Sequence, residues 1–161
     1  MRPRRMMKNE GLVLDKLPPE WRALIDAATK ARGKAHAPYS GFSVGAAVRA
    51  ASGRIFAGCN VENASTGLTV CAERVAIWKA VSEGERQFQA LAVVTESGSM
   101  PCGACRQVLS EFAKDMPILI ADTAGHVLLT SLAALYPDPF TPANLKGKPA
   151  WNIGDSGRRE S

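Results

Sequence analysis

Cys71-Ala72-Glu73, followed further on by Pro101-Cys102-Gly103-Ala104-Cys105, are the residues of this 161-residue chain whose types and spacing suit chemistry. Three thiolates form an incomplete tetrahedron around Zn²⁺, and an open fourth position separates a catalytic site from a structural one. A glutamate two residues from one ligand can take a proton from a water held in that position and give it back elsewhere. The chemistry implied is metal-assisted attack of water. A C-x-x-C pair alone is a weak signal, since redox dithiols and structural zinc sites share it. C-x-E followed by P-C-x-x-C is a strong one.

The elements that must position these residues follow from periodicity. A first helix is expected from Pro18-Pro19-Glu20, with Trp21, Leu24, Ile25, Ala28 and Ala31 on one apolar face and Gly33 and Pro38 as its stop. Ser43–Ala51 and Arg54–Val61 read as strands joined at Ser52-Gly53, a link so short that the pair must be antiparallel. Glu62–Thr69 is polar and reads as a loop. Cys71–Glu83 is a helix ended by Gly84, and the apolar run Ala90–Thr95 is a strand covered on both faces. Cys102–Lys114 is a helix, Ile118–Ala121 and Val127–Thr130 are a second antiparallel pair, and Ser131–Leu135 is a short helix. The order α-β-β-α-β-α-β-β-α predicts a three-layer α-β-α fold around a five-stranded mixed sheet.

Both thiol segments then fall at helix N-termini directly after loops. Backbone N–H groups and the positive helix end favour thiolate, the metal-binding form, over thiol. Two helices starting side by side at one sheet edge bring the three sulfurs to one ion. Three thiolates leave Zn²⁺ with a formal charge of −1, which makes it a weaker Lewis acid than zinc held by neutral histidines. Arg74, beside Glu73, is placed to offset this by donating hydrogen bonds to the sulfurs.

Composition limits the alternatives. Apolar residues at 46% and charged residues at 22% are ordinary globular values and disfavour disorder or coiled coil. The length suits one domain, taken as residues 11–150, between a basic N-terminal tail at 1–10 and a polar, frayed tail at 151–161. No apolar run approaches the roughly 20 residues that span a bilayer, and no apolar stretch follows the N-terminal arginines as in a secretory leader. A cytoplasmic protein without a membrane partner is expected. The formal charge of +5 is concentrated at the start, where Arg2, Arg4, Arg5 and Lys8 face only Glu10. That leaves too little basic surface elsewhere for a nucleic-acid partner. With Met6 and Met7 following, the tail reads as a disordered extension or an early start.

At these residues the chain resembles the cytidine deaminases of pyrimidine salvage, in the small homotetrameric form with an all-cysteine zinc site. The resemblance runs from about Pro38 to Phe140. It rests on Pro38-Tyr39-Ser40, Phe42, Val44-Gly45-Ala46-Ala47, Gly58-Cys59-Asn60-Val61-Glu62-Asn63, Cys71-Ala72-Glu73-Arg74 and Pro101-Cys102-Gly103-Ala104-Cys105-Arg106-Gln107. It implies a Zn²⁺ cofactor on Cys71, Cys102 and Cys105, with Glu73 as the catalytic acid and base in converting cytidine and deoxycytidine to uridine and deoxyuridine with release of ammonia. It implies further that Asn60 and Glu62 hydrogen-bond the ribose 3′-hydroxyl, that Phe42 packs beside the base, and that the backbone around Ala72 meets the pyrimidine edge. Phe140 resembles an aromatic that closes a neighbouring subunit's pocket. One departure is Thr66, where the family commonly has a tyrosine near the sugar and the subunit boundary.

Without the resemblance, Asn60 and Glu62 read equally well as caps of a turn, and Phe42 and Phe140 as core residues. Cys59 reads as a small buried hydrophobe at a strand end. His36 and His126 read as surface or turn residues, and Trp21, Trp78 and Trp151 as core or interface anchors. The rival functions are a blasticidin S-type deaminase on the same fold, a thiol redox protein that leaves Cys71 and Glu73 without a part, and a structural zinc module completed by Cys59. Editing of nucleic acid is disfavoured by the lack of a basic groove.

Overall fold

The computed structural model describes residues 11–147, so the basic segment 1–10, Trp151 and the tail 151–161 lie outside the described residues. Among the described residues six strands are formed: β1 Leu12–Val13, β2 Gly45–Ala50, β3 Ile55–Cys59, β4 Phe88–Val94, β5 Pro117–Ala121 and β6 His126–Ser131. The helices are α1 Pro19–Arg32, α2 Ala72–Ser82, α3 Gly103–Phe112, α4 Leu132–Leu135 and α5 Pro142–Leu145.

The strands make one mixed sheet in the order β1-β6-β5-β4-β2-β3. Both expected hairpins are present, with β2 antiparallel to β3 and β5 antiparallel to β6. Strand β2 also pairs antiparallel with β4, and β4 pairs in parallel with β5 across the α3 crossover. The expected count of five strands is corrected to six. The addition is β1, whose Leu12 and Val13 pair with Val127 and His126. Two residues carry no alternation to read, and their strand exists only because β6 offers an open edge. The four-residue helix α5 is a further element that the sequence expectation does not include.

Side chains alternate between two cores, as a sheet covered on both faces requires. Ala46, Val48, Leu91, Val93, Ile118 and Ile120 join Ala76, Ile77 and Leu109 beneath α2 and α3. Ala47, Ala90, Ala92, Val94, Leu119 and Ala121 face Leu24, Ile25 and Ala28 of α1. Helix α1 buries the face that its apolar spacing predicts.

Two glycines let helices lie close on opposite faces. A Cβ at Gly45 would come within 1.9 Å of the Ala28 carbonyl oxygen, and one at Gly58 within 2.7 Å of the Ala76 nitrogen. Backbone cannot yield as a side-chain tip can. Gly45→Ala is therefore expected to lift α1 from the sheet and destabilise the chain by about 3 kcal/mol. Thermal unfolding checks this, and an unchanged midpoint would contradict so close an approach.

Because β3 and β4 both run antiparallel to β2, they end on the same side of the sheet. Helices α2 and α3, which follow them, therefore begin side by side there. The sequence expectation of a shared sheet edge holds in this sense: it is the edge made by strand ends, not a lateral edge strand.

Candidate metal centre and active site

Cys71 is the N-cap of α2 and Cys102 the N-cap of α3, each in extended conformation, with Cys105 in the first turn of α3. Within the helices, the Val75 N–H bonds to the Cys71 carbonyl and the Arg106 N–H to the Cys102 carbonyl, so both cysteines are anchored at the point where the loop becomes helix. The three sulfurs lie within 4.8 Å of one another. Cys71 Sγ is 3.8 Å from Cys102 Sγ, which is 3.5 Å from Cys105 Sγ. Ligands about 2.3 Å from one zinc ion at tetrahedral angles stand about 3.8 Å apart. The donor set thus fits Zn²⁺ in type, number and spacing, with one coordination position left over.

The electrostatics favour an anionic cluster. Cys71 is pulled down to about 5, first by the hydrogen bond from Cys105 and further by Arg74, against the opposing effect of burial. Cys105 is pushed up in turn, by its bond to Cys71 and by its burial. Arg74 Nη2 donates to Cys71 Sγ at 3.5 Å, and the guanidinium carbon lies 5.9 Å from the centre of the Trp78 ring. The expected contact between Arg74 and a sulfur is present. The ring fixes the guanidinium over the helix surface and leaves Trp78 itself exposed.

Glu73 is only 5% exposed. Burial pushes its carboxyl up to about 7, and the Cys71 charge pushes the same way, while its own backbone N–H and Arg74 pull it down. A carboxyl held near neutrality can change protonation state easily there, which suits it to accepting and donating protons.

A cavity of about 290 Å³ opens over this cluster, at the small end of the usual range for ligand sites. Cys71, Glu73 and Cys102 lie on its wall together with Phe42, Asn60 and Glu62. Cys105 is buried behind them. Asn60 bridges two loop positions: its Oδ1 accepts from the Val44 N–H at 2.8 Å and its Nδ2 donates to the Phe42 carbonyl at 2.7 Å. Glu62 accepts from the Tyr39 and Ser40 N–H groups at 2.9 and 3.2 Å and from the Ser40 hydroxyl. The Ser40 hydroxyl first, then the Tyr39 N–H, hold the Glu62 carboxyl below its ordinary range. Both residues therefore cap the 39–44 loop. Each also keeps spare capacity: one amide hydrogen and one lone pair on Asn60, and an acceptor site on Glu62.

Besides Cys105 and Arg74, two predicted residues, both expected to touch substrate, are not on the cavity wall of their own chain. Ala72 is wholly buried as the first residue of α2, between two residues that are on the wall. Phe140 is 57% exposed. Sequence reasoning missed Ser40, Val44, Thr69, Val93, Thr95, Ser99 and Met100 as wall residues. Thr95, a fully buried polar residue directly after the apolar strand β4, carries the one usable signal, and its Oγ1 accepts from the Ser99 N–H at 2.8 Å. Cys59 stands apart, half-buried at the end of β3 with its thiol donating to the Lys34 carbonyl at 3.3 Å. Among the described residues it does not join the sulfur cluster, which disfavours a four-cysteine structural site.

Comparison with known proteins agrees with this geometry. Residues 19–120 match the family described as the cytidine and deoxycytidylate deaminase zinc-binding region, a span containing all three clustered thiols and Glu73. A cytidine deaminase from Sporosarcina psychrophila is 49% identical over 125 residues, covering 76% of this chain and 92% of that protein. A blasticidin-S deaminase from Bacillus cereus is 34% identical over 108 residues, covering 61% of this chain and 76% of that protein. Among solved structures, the cytidine deaminase from Burkholderia pseudomallei superposes with a TM-score of 0.71 at 50% identity, covering 73% of this chain and 97% of that one. Half of the aligned residues are shared across nearly the full length of that enzyme, and the sulfur cluster falls inside the matched region: the chain belongs to the cytidine deaminase family.

Proposed function

We propose that the chain is a zinc-dependent hydrolase that deaminates cytidine and deoxycytidine to uridine and deoxyuridine, releasing ammonia. The observation that carries this reading is the placement of a buried carboxyl, Glu73, on one cavity wall with two of three thiols spaced for zinc. Cys71, Cys102 and Cys105 hold the ion. When bound, Zn²⁺ lowers the pKa of a water in its open position and so supplies a nucleophile at neutral pH.

The remaining work belongs to the chain. Glu73 accepts one proton from the attacking water and gives it to ring N3, then takes the second from the hydroxyl so formed on C4 and gives it to the departing amine. One carboxyl can serve throughout because all three atoms lie along one edge of the base. Carbon C4 gains the water oxygen and loses the amine, so cytosine becomes uracil. Phe42 packs beside the base, and the backbone at Ala72 meets the pyrimidine edge. Asn60 and Glu62 take the ribose 3′-hydroxyl with the hydrogen-bonding capacity that the loop leaves free, as acceptor and donor together. The 39–44 loop is held by the same two side chains, so sugar binding and loop placement are coupled.

Arg74 restrains charge donation by the sulfurs. Removing it leaves the cluster more negative and makes a water in the open position harder to ionise. Arg74→Gln is expected to move the acidic limb of the pH–rate profile to higher pH, and an unmoved profile would return Arg74 to an ordinary helix surface role.

The assembly is taken to be a homotetramer. Support comes from Tyr39, Val61, Leu68, Met100 and Phe140, large apolar side chains left exposed on one copy. Phe140 then closes the pocket of a neighbouring subunit. Among the described residues no helix is long and apolar enough to cross a membrane. A cytoplasmic enzyme of pyrimidine salvage accords with this and with the nucleoside substrate.

A substrate panel tests the reading. Purified protein at about one zinc per chain is followed by loss of ultraviolet absorbance with cytidine, deoxycytidine, cytosine, adenosine and blasticidin S. Turnover of the two cytosine nucleosides is expected. Turnover of blasticidin S alone would transfer the assignment to that substrate on the same fold.

A further inference from the structure

Phe140 is held by a side chain that the reaction leaves without a part. Gln107 lies on α3 two residues after Cys105, and its amide meets both backbone groups of Phe140. Gln107 Nε2 donates to the Phe140 carbonyl at 2.9 Å, and Gln107 Oε1 accepts from the Phe140 N–H at 3.2 Å. A carboxamide engaging both the N–H and the C=O of one residue fixes that residue in orientation as well as position. Gln107 Oε1 also accepts from the Tyr136 hydroxyl at 2.8 Å, so one amide ties down both ends of the 136–140 segment.

The neighbouring residue works on the same segment. Arg106 Nε donates to the Pro101 carbonyl and Arg106 Nη1 to the Leu135 carbonyl, each at 2.8 Å. Two adjacent residues of the helix that carries Cys102 and Cys105 therefore hold the C-terminal segment at three points. The Phe140 side chain itself is exposed, more than is needed for packing within its own chain.

We infer that Gln107 is a positioning residue for nucleoside binding, acting through Phe140 by fixing the backbone from which that ring reaches a neighbouring subunit's pocket. The inference rests on the reading of Phe140 given above. It differs from a stabilising role in what it predicts for substrate affinity. A ring whose backbone is released spends less time over the ligand, so binding weakens while the chemical step, set by Glu73 and the metal, does not.

The test is a two-residue cycle on the zinc-loaded enzyme, comparing Gln107→Ala, Phe140→Ala and the double variant. Zinc content and thermal midpoint are measured beside steady-state kinetics with cytidine. Phe140→Ala is expected to raise KM about tenfold, the scale of losing one aromatic contact to a base. Gln107→Ala is expected to raise KM by several-fold with kcat within about twofold and zinc at about one per chain. In the Phe140→Ala background, Gln107→Ala should add nothing to KM, since the ring it positions is gone. Gln107→Glu keeps an acceptor for Tyr136 and the Phe140 N–H but sets an oxygen against the Phe140 carbonyl in place of the donor, and should raise KM at least as much as alanine. Raised KM in Phe140→Ala with none in Gln107→Ala would overturn the clamp alone. Effects that multiply in the double variant, or lost zinc in Gln107→Ala, would overturn it in favour of another route. An unchanged KM in Phe140→Ala would remove the reading of Phe140 and the clamp with it.

Discussion

Glu73→Gln is expected to keep its zinc and its fold and to lose kcat by at least about 10³-fold. The substitution is nearly isosteric, so the 5% exposure of this side chain and the packing of α2 above β2 and β3 are undisturbed. What disappears is the ability to accept and return a proton. Burial has already brought the Glu73 carboxyl up to about 7, so that either protonation state is within reach near neutrality. A bound cation beside it pulls the other way, as Arg74 does, and favours the carboxylate needed to begin the reaction. A glutamine can still hydrogen-bond the ring edge, so KM should change far less than kcat. A variant retaining a tenth of wild-type kcat would remove Glu73 from proton transfer.

Cys102→Ala should lose the metal. This cysteine links the set, being within 3.8 Å of Cys71 and 3.5 Å of Cys105. Without it two sulfurs remain, one on each helix, and the affinity for zinc should fall by more than about 100-fold, beyond what loss of an outer hydrogen-bond partner causes. The fold itself should survive, because α2 and α3 are held by Ala76, Ile77, Leu109 and the sheet rather than by the sulfurs. The expected result is protein with a native far-ultraviolet spectrum, a lowered thermal midpoint and almost no zinc after dialysis. Metal analysis decides the matter, and a full zinc complement in the variant would take Cys102 out of the ligand set.

The layers and the sulfur cluster were legible in the sequence for physical reasons. Cys71 and Cys102 follow loops and open helices, and strands on one side of the sheet must deliver those helices to a common end. Alternation in Ala46-Ala47-Val48 and Leu91-Ala92-Val93 specifies two covered faces, with small residues turned toward α1. Strand β1 was not legible because two residues have no period, and its pairing with β6 is decided by the tertiary structure. The cavity wall was half legible. Phe42, Asn60 and Glu62 came only through family resemblance, and the structure adds that Asn60 and Glu62 also cap a loop. Ser99 and Met100 come from a loop whose path no local pattern fixes. The Gln107 clamp was equally hidden, since it joins α3 to a segment 33 residues away.

If the three-cysteine centre deaminates cytidine, uridine and ammonia formation must follow zinc, which is checked on one preparation assayed as purified, after complete removal of zinc, and after zinc is restored. Stoichiometric uridine and ammonia are expected in the first state, loss in the second, and recovery in the third at about one zinc per chain. Folded protein with full zinc that leaves cytidine and deoxycytidine unchanged would contradict this assignment, as would turnover that persists after the zinc has gone.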